Sequence, residues 1–189
     1  MATATKSRSG SSATSSSRPV FSRRHRRLQV AVWQNDSASG SFFNTSLQRS
    51  YKDGEDWKRL QTSLNREDLL PAAKLLNWAQ SAVVVASTND AKPFSEKQPI
   101  SSQRYRNLEA SVWRNESTDG PFFTVSLKRS YKVDDEWNDT SISLGNEDLL
   151  PMARLLDRAH DAIDDLYEDN GHTQPESHSS DSGSADIPF

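Results

Sequence analysis

Four tryptophans recur as two pairs at one fixed offset: Trp33 with Trp113, and Trp57 with Trp137. Lys52, Arg114, Lys128 and Lys132 are read in the polar set of the same strands, and Arg59 on the face of Trp57. Flat indoles beside cations are what an unpaired nucleic-acid strand requires. Bases stack on the rings, at about 1–3 kcal/mol each, while Lys and Arg meet the phosphates. Stacking plus backbone charge reads no base edges, so the expected binding tolerates sequence and weakens with salt. For a single ring the plain alternative is packing between repeats, because large aromatics are usually mostly buried. For a single cation it is a solvated surface charge, and recurrence in both copies weighs against that alternative.

Other chemistry finds little support. Of the histidines, His25, His160, His172 and His178, only His160 falls in an expected helix, and its mate in the other copy is Gln80. A catalytic group should recur in both copies. The pairs Glu67-Asp68 and Glu147-Asp148 stand where acids cap helices. The sequence contains no glycine-rich phosphate loop, no metal-ligand spacing and no cysteine. The expectation is a non-enzymatic chain with no cofactor and no metal, in a reducing compartment. No apolar run approaches the roughly 18 residues of a membrane span, so a membrane partner is not expected.

The elements that must position these residues follow from the duplication. An offset of 80 residues carries Phe42-Phe43 onto Phe122-Phe123, Arg49-Ser50-Tyr51-Lys52 onto Arg129-Ser130-Tyr131-Lys132, and Glu67-Asp68-Leu69-Leu70-Pro71 onto Glu147-Asp148-Leu149-Leu150-Pro151. About half the positions from Arg24 to Val83 equal their mates, so the two units share a fold. Leu28, Val30 and Val32 alternate with Gln29, Ala31 and Trp33, the period of a half-buried strand. The next strand, Phe42 to Lys52, puts Phe43, Leu47 and Tyr51 on one side and Phe42, Ser46, Gln48, Ser50 and Lys52 on the other. Asp53-Gly54 signals a hairpin into a third strand, Trp57 to Leu64; the second copy lacks that glycine. A helix then begins near Asn65 or Asp68, with Pro71 expected in its first turn. Leu69, Ala72, Ala73, Leu76, Ala79 and Val83 give it one apolar stripe, matched by Leu149, Met152, Leu156, Ala159 and Ile163.

Alternation sends Trp33 and Trp113 away from the side that buries Leu28 and Val32. It sets Trp57 beside Arg59, Gln61 and Ser63, and Trp137 beside Asp139, Ser141 and Ser143. A unit of roughly 60 residues buries too little surface to be comfortable alone. The fold expected is therefore α+β: two tandem antiparallel sheet-plus-helix repeats, βββα or ββββα, packed as an internal pseudo-dimer between disordered tails. The boundaries read as a basic arm over 1–23, repeats over 24–83 and 104–167 with a linker at 84–103, and an acidic tail over 168–189.

Charge is divided sharply between the ends. The first 27 residues hold Lys6, Arg8, Arg18, Arg23, Arg24, Arg26 and Arg27 and no acid. The last 26 hold Asp164, Asp165, Glu168, Asp169, Glu176, Asp181 and Asp186 and no Lys or Arg. What remains is slightly acidic, so any basic surface on the folded part must be local. The Ser- and Arg-rich beginning fits a disordered basic arm better than an organelle transit peptide, since it lacks a clear apolar face.

The final four residues, Asp186-Ile187-Pro188-Phe189, follow a Ser-, Asp- and Glu-rich stretch. This tip resembles the tail of bacterial single-stranded-DNA-binding proteins (SSB). That resemblance implies capture by a partner protein, with Phe189 in an apolar pocket and its carboxylate and Asp186 on a basic rim. The match departs from the family in having Ser184-Ala185 where more aspartates are usual, which implies weaker contact with the rim. The body does not read as the SSB barrel. The stretch Ser46 to Gly54, the later Ser63-Leu64 and the helix start Glu67-Asp68-Leu69-Leu70, each with its mate, resemble the positive-cofactor-four, Whirly and Pur group of single-strand binders. These resemblances imply a cytoplasmic, bacterial-type, nucleoid-associated protein. It would coat single-stranded DNA, or RNA, with little sequence preference and recruit replication, recombination or repair proteins, as a pseudo-dimer able to associate further. The competing expectation is a transcription-regulating or protein-interaction module without direct DNA binding.

Overall fold

The computed structural model describes residues 14–15, 18–37, 40–88 and 98–169. The first unit consists of β1 (Thr14–Ser15), β2 (Phe21–His25), β3 (Leu28–Ser37), β4 (Gly40–Asp53), β5 (Asp56–Asn65) and α1 (Arg66–Thr88). The second consists of β6 (Ser101–Tyr105), β7 (Leu108–Ser117), β8 (Gly120–Val133), β9 (Glu136–Gly145), a short 3-10 turn (Asn146–Asp148) and α2 (Leu149–Asp169). Each unit is thus ββββα, a four-stranded antiparallel meander and a helix, with β1 as a short addition along the far end of β3. Part of the basic stretch is built into the first sheet: Arg23 and Arg24 lie in β2, and Arg26 and Arg27 form its turn into β3.

Alternation sorts each sheet into a core face and an outer face. Leu28, Val30, Val32, Phe43, Leu47 and Leu64 are buried on the first; Leu108, Ala110, Val112, Val125, Leu127, Ile142 and Leu144 are buried on the second. Both sets join one core with the helices. The helices are exchanged: α1 packs on β7 and β6 of the second sheet, α2 packs on β3 and β2 of the first, and the two helices pack on each other. The sheets also meet along β5 and β9, where the Thr62 and Thr140 hydroxyls lie 3.0 Å apart. Each unit therefore covers its partner's apolar face, which answers the shortage of core in either unit alone.

Two local features differ from the sequence reading. Pro71 sits beyond the first turn of α1, whereas Pro151 does fall in the first turn of α2 because the 3-10 turn precedes it. By length and composition α1 is apolar enough to cross a membrane, more than the sequence reading allowed. In this fold its stripe, Leu69, Ala72, Ala73, Leu76, Ala79 and Val83, is buried in the shared core.

The hairpins show how the turn residues were substituted. Gly54 opens the β4–β5 turn at φ 63°, while Asp134 and Asp135 hold φ 47° and 68° in the β8–β9 turn. Left-handed values at both central residues are those of a type I′ turn, and Asp tolerates them better than most side chains.

Candidate nucleic-acid interface

Strand register places the aromatics. Trp33 pairs with Asn44 and Lys52 with Trp57, so Trp33, Lys52, Trp57 and Arg59 share the outer face of the first sheet. Trp113, Lys128, Lys132 and Trp137 share the outer face of the second. Both faces point away from the core, because the helices occupy the opposite sides. Trp33 and Trp57 lie eight residues apart in register along β4, roughly 27 Å at the strand rise.

The tryptophans divide into two kinds. Trp57 and Trp137, at the hairpin end, are 71% and 72% exposed. Trp33 and Trp113 are half-buried, and each donates its indole Nε1–H to a serine on the neighbouring strand, Ser46 Oγ at 3.1 Å and Ser126 Oγ at 3.2 Å. Beside Trp33, Ala31 and Ser46 are buried although they belong to the outer set. The serine hydroxyl satisfies the polar edge of each indole.

Phe42 and Phe122, 43% and 46% exposed, join the aromatic set. They pair with Asn35 and Asn115 and so stand diagonal to Trp33 and Trp113 on the same face. Period-two alternation alone puts Phe42 on the polar side, and strand pairing sets it beside Trp33. Arg24 and Arg26 are further additions. They line a cleft of about 540 Å³ with Arg27, Ser50, Trp57, Lys58 and Arg59. Seen as part of a flexible arm, these arginines have no address; only the β2–β3 hairpin brings them to Trp57.

The structure separates Arg114 from the other candidates. It alternates with Trp113 and therefore points to the core side, where it pairs with Glu116 at 2.9 Å. There it lines an inter-unit cleft of about 830 Å³ with Arg27, Arg49, Phe122 and Phe123. All three arginines of that cleft are already matched to carboxylates, Arg27 and Arg49 to Asp148 and Arg114 to Glu116.

Charge on the outer faces is local. Arg24, Arg26, Lys52 and Arg59 have no acidic partner among the described residues. Lys128 lies 3.9 Å from Glu109 and 3.6 Å from Asp139, and Lys132 lies 2.6 Å from Asp135. Asp139 also accepts the Ser130 hydroxyl at 2.6 Å. That hydrogen bond, more than the neighbouring Lys128 charge, holds the Asp139 carboxyl below its ordinary range.

Glu67-Asp68 and Glu147-Asp148 do cap, and do more. Asp68 accepts the Asn65 backbone N–H at 3.3 Å and Asp148 accepts that of Gly145 at 3.1 Å. Each also receives an arginine from the other unit. Among the described residues no group of His, Cys, Asp and Glu is clustered to hold a metal ion. The tip Asp186-Ile187-Pro188-Phe189 lies outside the described residues, as do Met1 to Ala13.

No protein-family model matches this chain, and no curated protein matches it. Among solved structures it is similar to that of a plant transcriptional regulator, PBF-2, at 8% identity and a TM-score of 0.30, over 89% of this chain and 92% of that one.

Proposed function

We propose that this protein binds single-stranded DNA without enzymatic activity and with little sequence preference, laying the strand on an outer sheet face that carries tryptophan and basic residues. One observation carries the reading: Trp57, an indole 71% exposed on the outer sheet face, stands in a cleft edged by Arg24, Arg26 and Arg59. An exposed tryptophan costs solvation free energy without a ligand, and unstacked bases supply a matching flat surface. The tandem sheet-plus-helix repeats accord with the resemblance to the positive-cofactor-four, Whirly and Pur group. The run Asp186-Ile187-Pro188-Phe189 supports a second role on sequence resemblance alone, recruitment of DNA replication, recombination or repair proteins.

Titrating the intact protein with oligo-dT at low salt while following tryptophan fluorescence tests the first role. Strong quenching that fades as salt is added is expected. An unchanged spectrum would leave the competing reading, a regulatory or interaction module without direct DNA contact. The hydrogen-bonded, half-buried state of Trp33 and Trp113 favours packing for that pair. For the tip, removal of residues 186–189 should leave oligo-dT affinity intact and abolish capture of DNA-maintenance proteins; capture that persists refutes the assignment.

A further inference from the structure

The two outer faces match in their aromatics and differ in their charge. On the first sheet Arg24, Arg26, Lys52 and Arg59 are unpaired, and the outer set of β2 to β5 contains no acid. The mates tell another story. Where the first sheet has Gln29, the second has Glu109, lying 4.0 Å from Arg104 and 3.9 Å from Lys128. Where the first has Arg59, the second has Asp139, 3.6 Å from Lys128. Lys132, the mate of Lys52, is tied to Asp135. Arg27 and Lys58, themselves paired with Asp148 and Asp53, give way to Asn107 and Asn138. Of the cations around Trp57, only Arg26 keeps an unpaired counterpart at Trp137, namely Arg106.

A phosphodiester strand approaching the outer face of the first sheet meets the unpaired cations Arg24, Arg26, Lys52 and Arg59 around an open ring, with Asp53 of the neighbouring hairpin already tied to Lys58. On the second, Arg106 apart, it meets cations already neutralised by carboxylates that would repel it. Arg26 and Arg106 share a left-handed backbone, φ 51° and 53°, so the turn itself is common to both copies and only the side chains around it have diverged.

We infer that the first sheet alone holds the strand, its phosphates entering the cleft beside Trp57, and that the second sheet serves as its folding partner. This rests on the single-strand reading above.

The test compares Trp57→Ala with Trp137→Ala in the full chain, using anisotropy of labelled oligo-dT at low salt. Both side chains are exposed, so the fold should survive; circular dichroism checks that it does. Trp57→Ala should weaken binding roughly 5- to 150-fold, the loss of one stacked base, and Trp137→Ala should leave it unchanged. Arg59→Asp should weaken binding and lower the salt slope by roughly one. Installing Asp139→Arg with Glu109→Gln in the Trp57→Ala protein should restore affinity. Equal losses for the two tryptophans, or a larger loss for Trp137→Ala, overturn the assignment to the first sheet while leaving single-strand binding intact. Polyglutamate competing as well as unlabelled oligo-dT overturns the strand as occupant. No binding by the wild-type protein refutes the underlying reading itself.

Discussion

Arg49 Nε lies 2.6 Å from Asp148 Oδ2, a contact between residues 99 apart in sequence, and Arg129 repeats it at 2.6 Å to Asp68. Arg129 is the mate of Arg49 and Asp68 the mate of Asp148, so the two bonds are related as in a two-fold dimer, where residue i meets j and j meets i. The carboxylates are buried, Asp148 at 3% and Asp68 at 4% exposure. The sequence places Arg49 and Arg129 in the apolar register of their strands, an awkward position for a guanidinium until the opposing helix start supplies a carboxylate. The pair also locks the relation between the units: a strand of one is tied to the helix cap of the other.

Removing one partner of a buried ion pair leaves an uncompensated charge, at about 3–5 kcal/mol. Asp148→Ala is therefore expected to lower the urea midpoint strongly. It should do so more than Asp68→Ala, because Asp148 also accepts Arg27 Nε at 3.0 Å, whereas the mate of Arg27 is Asn107. Urea unfolding followed by circular dichroism measures both; equal midpoints for the two variants contradict the asymmetry.

Exchange of helices predicts that neither unit folds as a monomer. A fragment spanning residues 18–88 would expose the face of its sheet that α2 covers and the stripe of α1 that β7 covers. Sedimentation should find it unfolded or paired with a second copy. A folded monomeric fragment would refute the exchanged packing.

Thr45 Oγ1 is fully buried and has no hydrogen-bond partner among the described residues. Its mate is Val125, equally buried, so the position accepts an isosteric apolar side chain. Thr45→Val should stabilise the protein by about 1 kcal/mol, the cost of an unsatisfied hydroxyl. A rise in Tm is the expected signal, and a fall shows that the hydroxyl has a role this packing does not reveal.

The depressed Asp139 carboxyl sets a pH dependence with a definite sign. A group whose folded-state pKa lies below its unfolded value adds stability above the ordinary carboxylate range and loses it as pH falls through the folded value. Ser130→Ala removes the largest cause of the depression. The carbon-detected titration of Asp139 should then move up toward the ordinary range; a curve that stays in place would assign the shift to Lys128 instead.

Much of this architecture was legible in the residues. The offset between Trp33 and Trp113 announces duplication, and two-residue alternation alone separates Leu28, Val30 and Val32 from Trp33. Both are local properties, because the pleat turns every second side chain to the same side and the helix repeats its stripe every three to four residues. The same alternation, applied strictly, would also have turned Arg114 away from Trp113. What local periodicity cannot supply is partnership across the chain. Only strand pairing sets Phe42 diagonal to Trp33 and folds Arg24 and Arg26 onto Trp57. Only the exchange of helices brings Arg49 to Asp148. And although Glu109 and Asp139 are plain in the sequence, it takes the sheet to place both carboxylates against Lys128, because charges neutralise one another according to distance in space, and sequence separation says little about that distance.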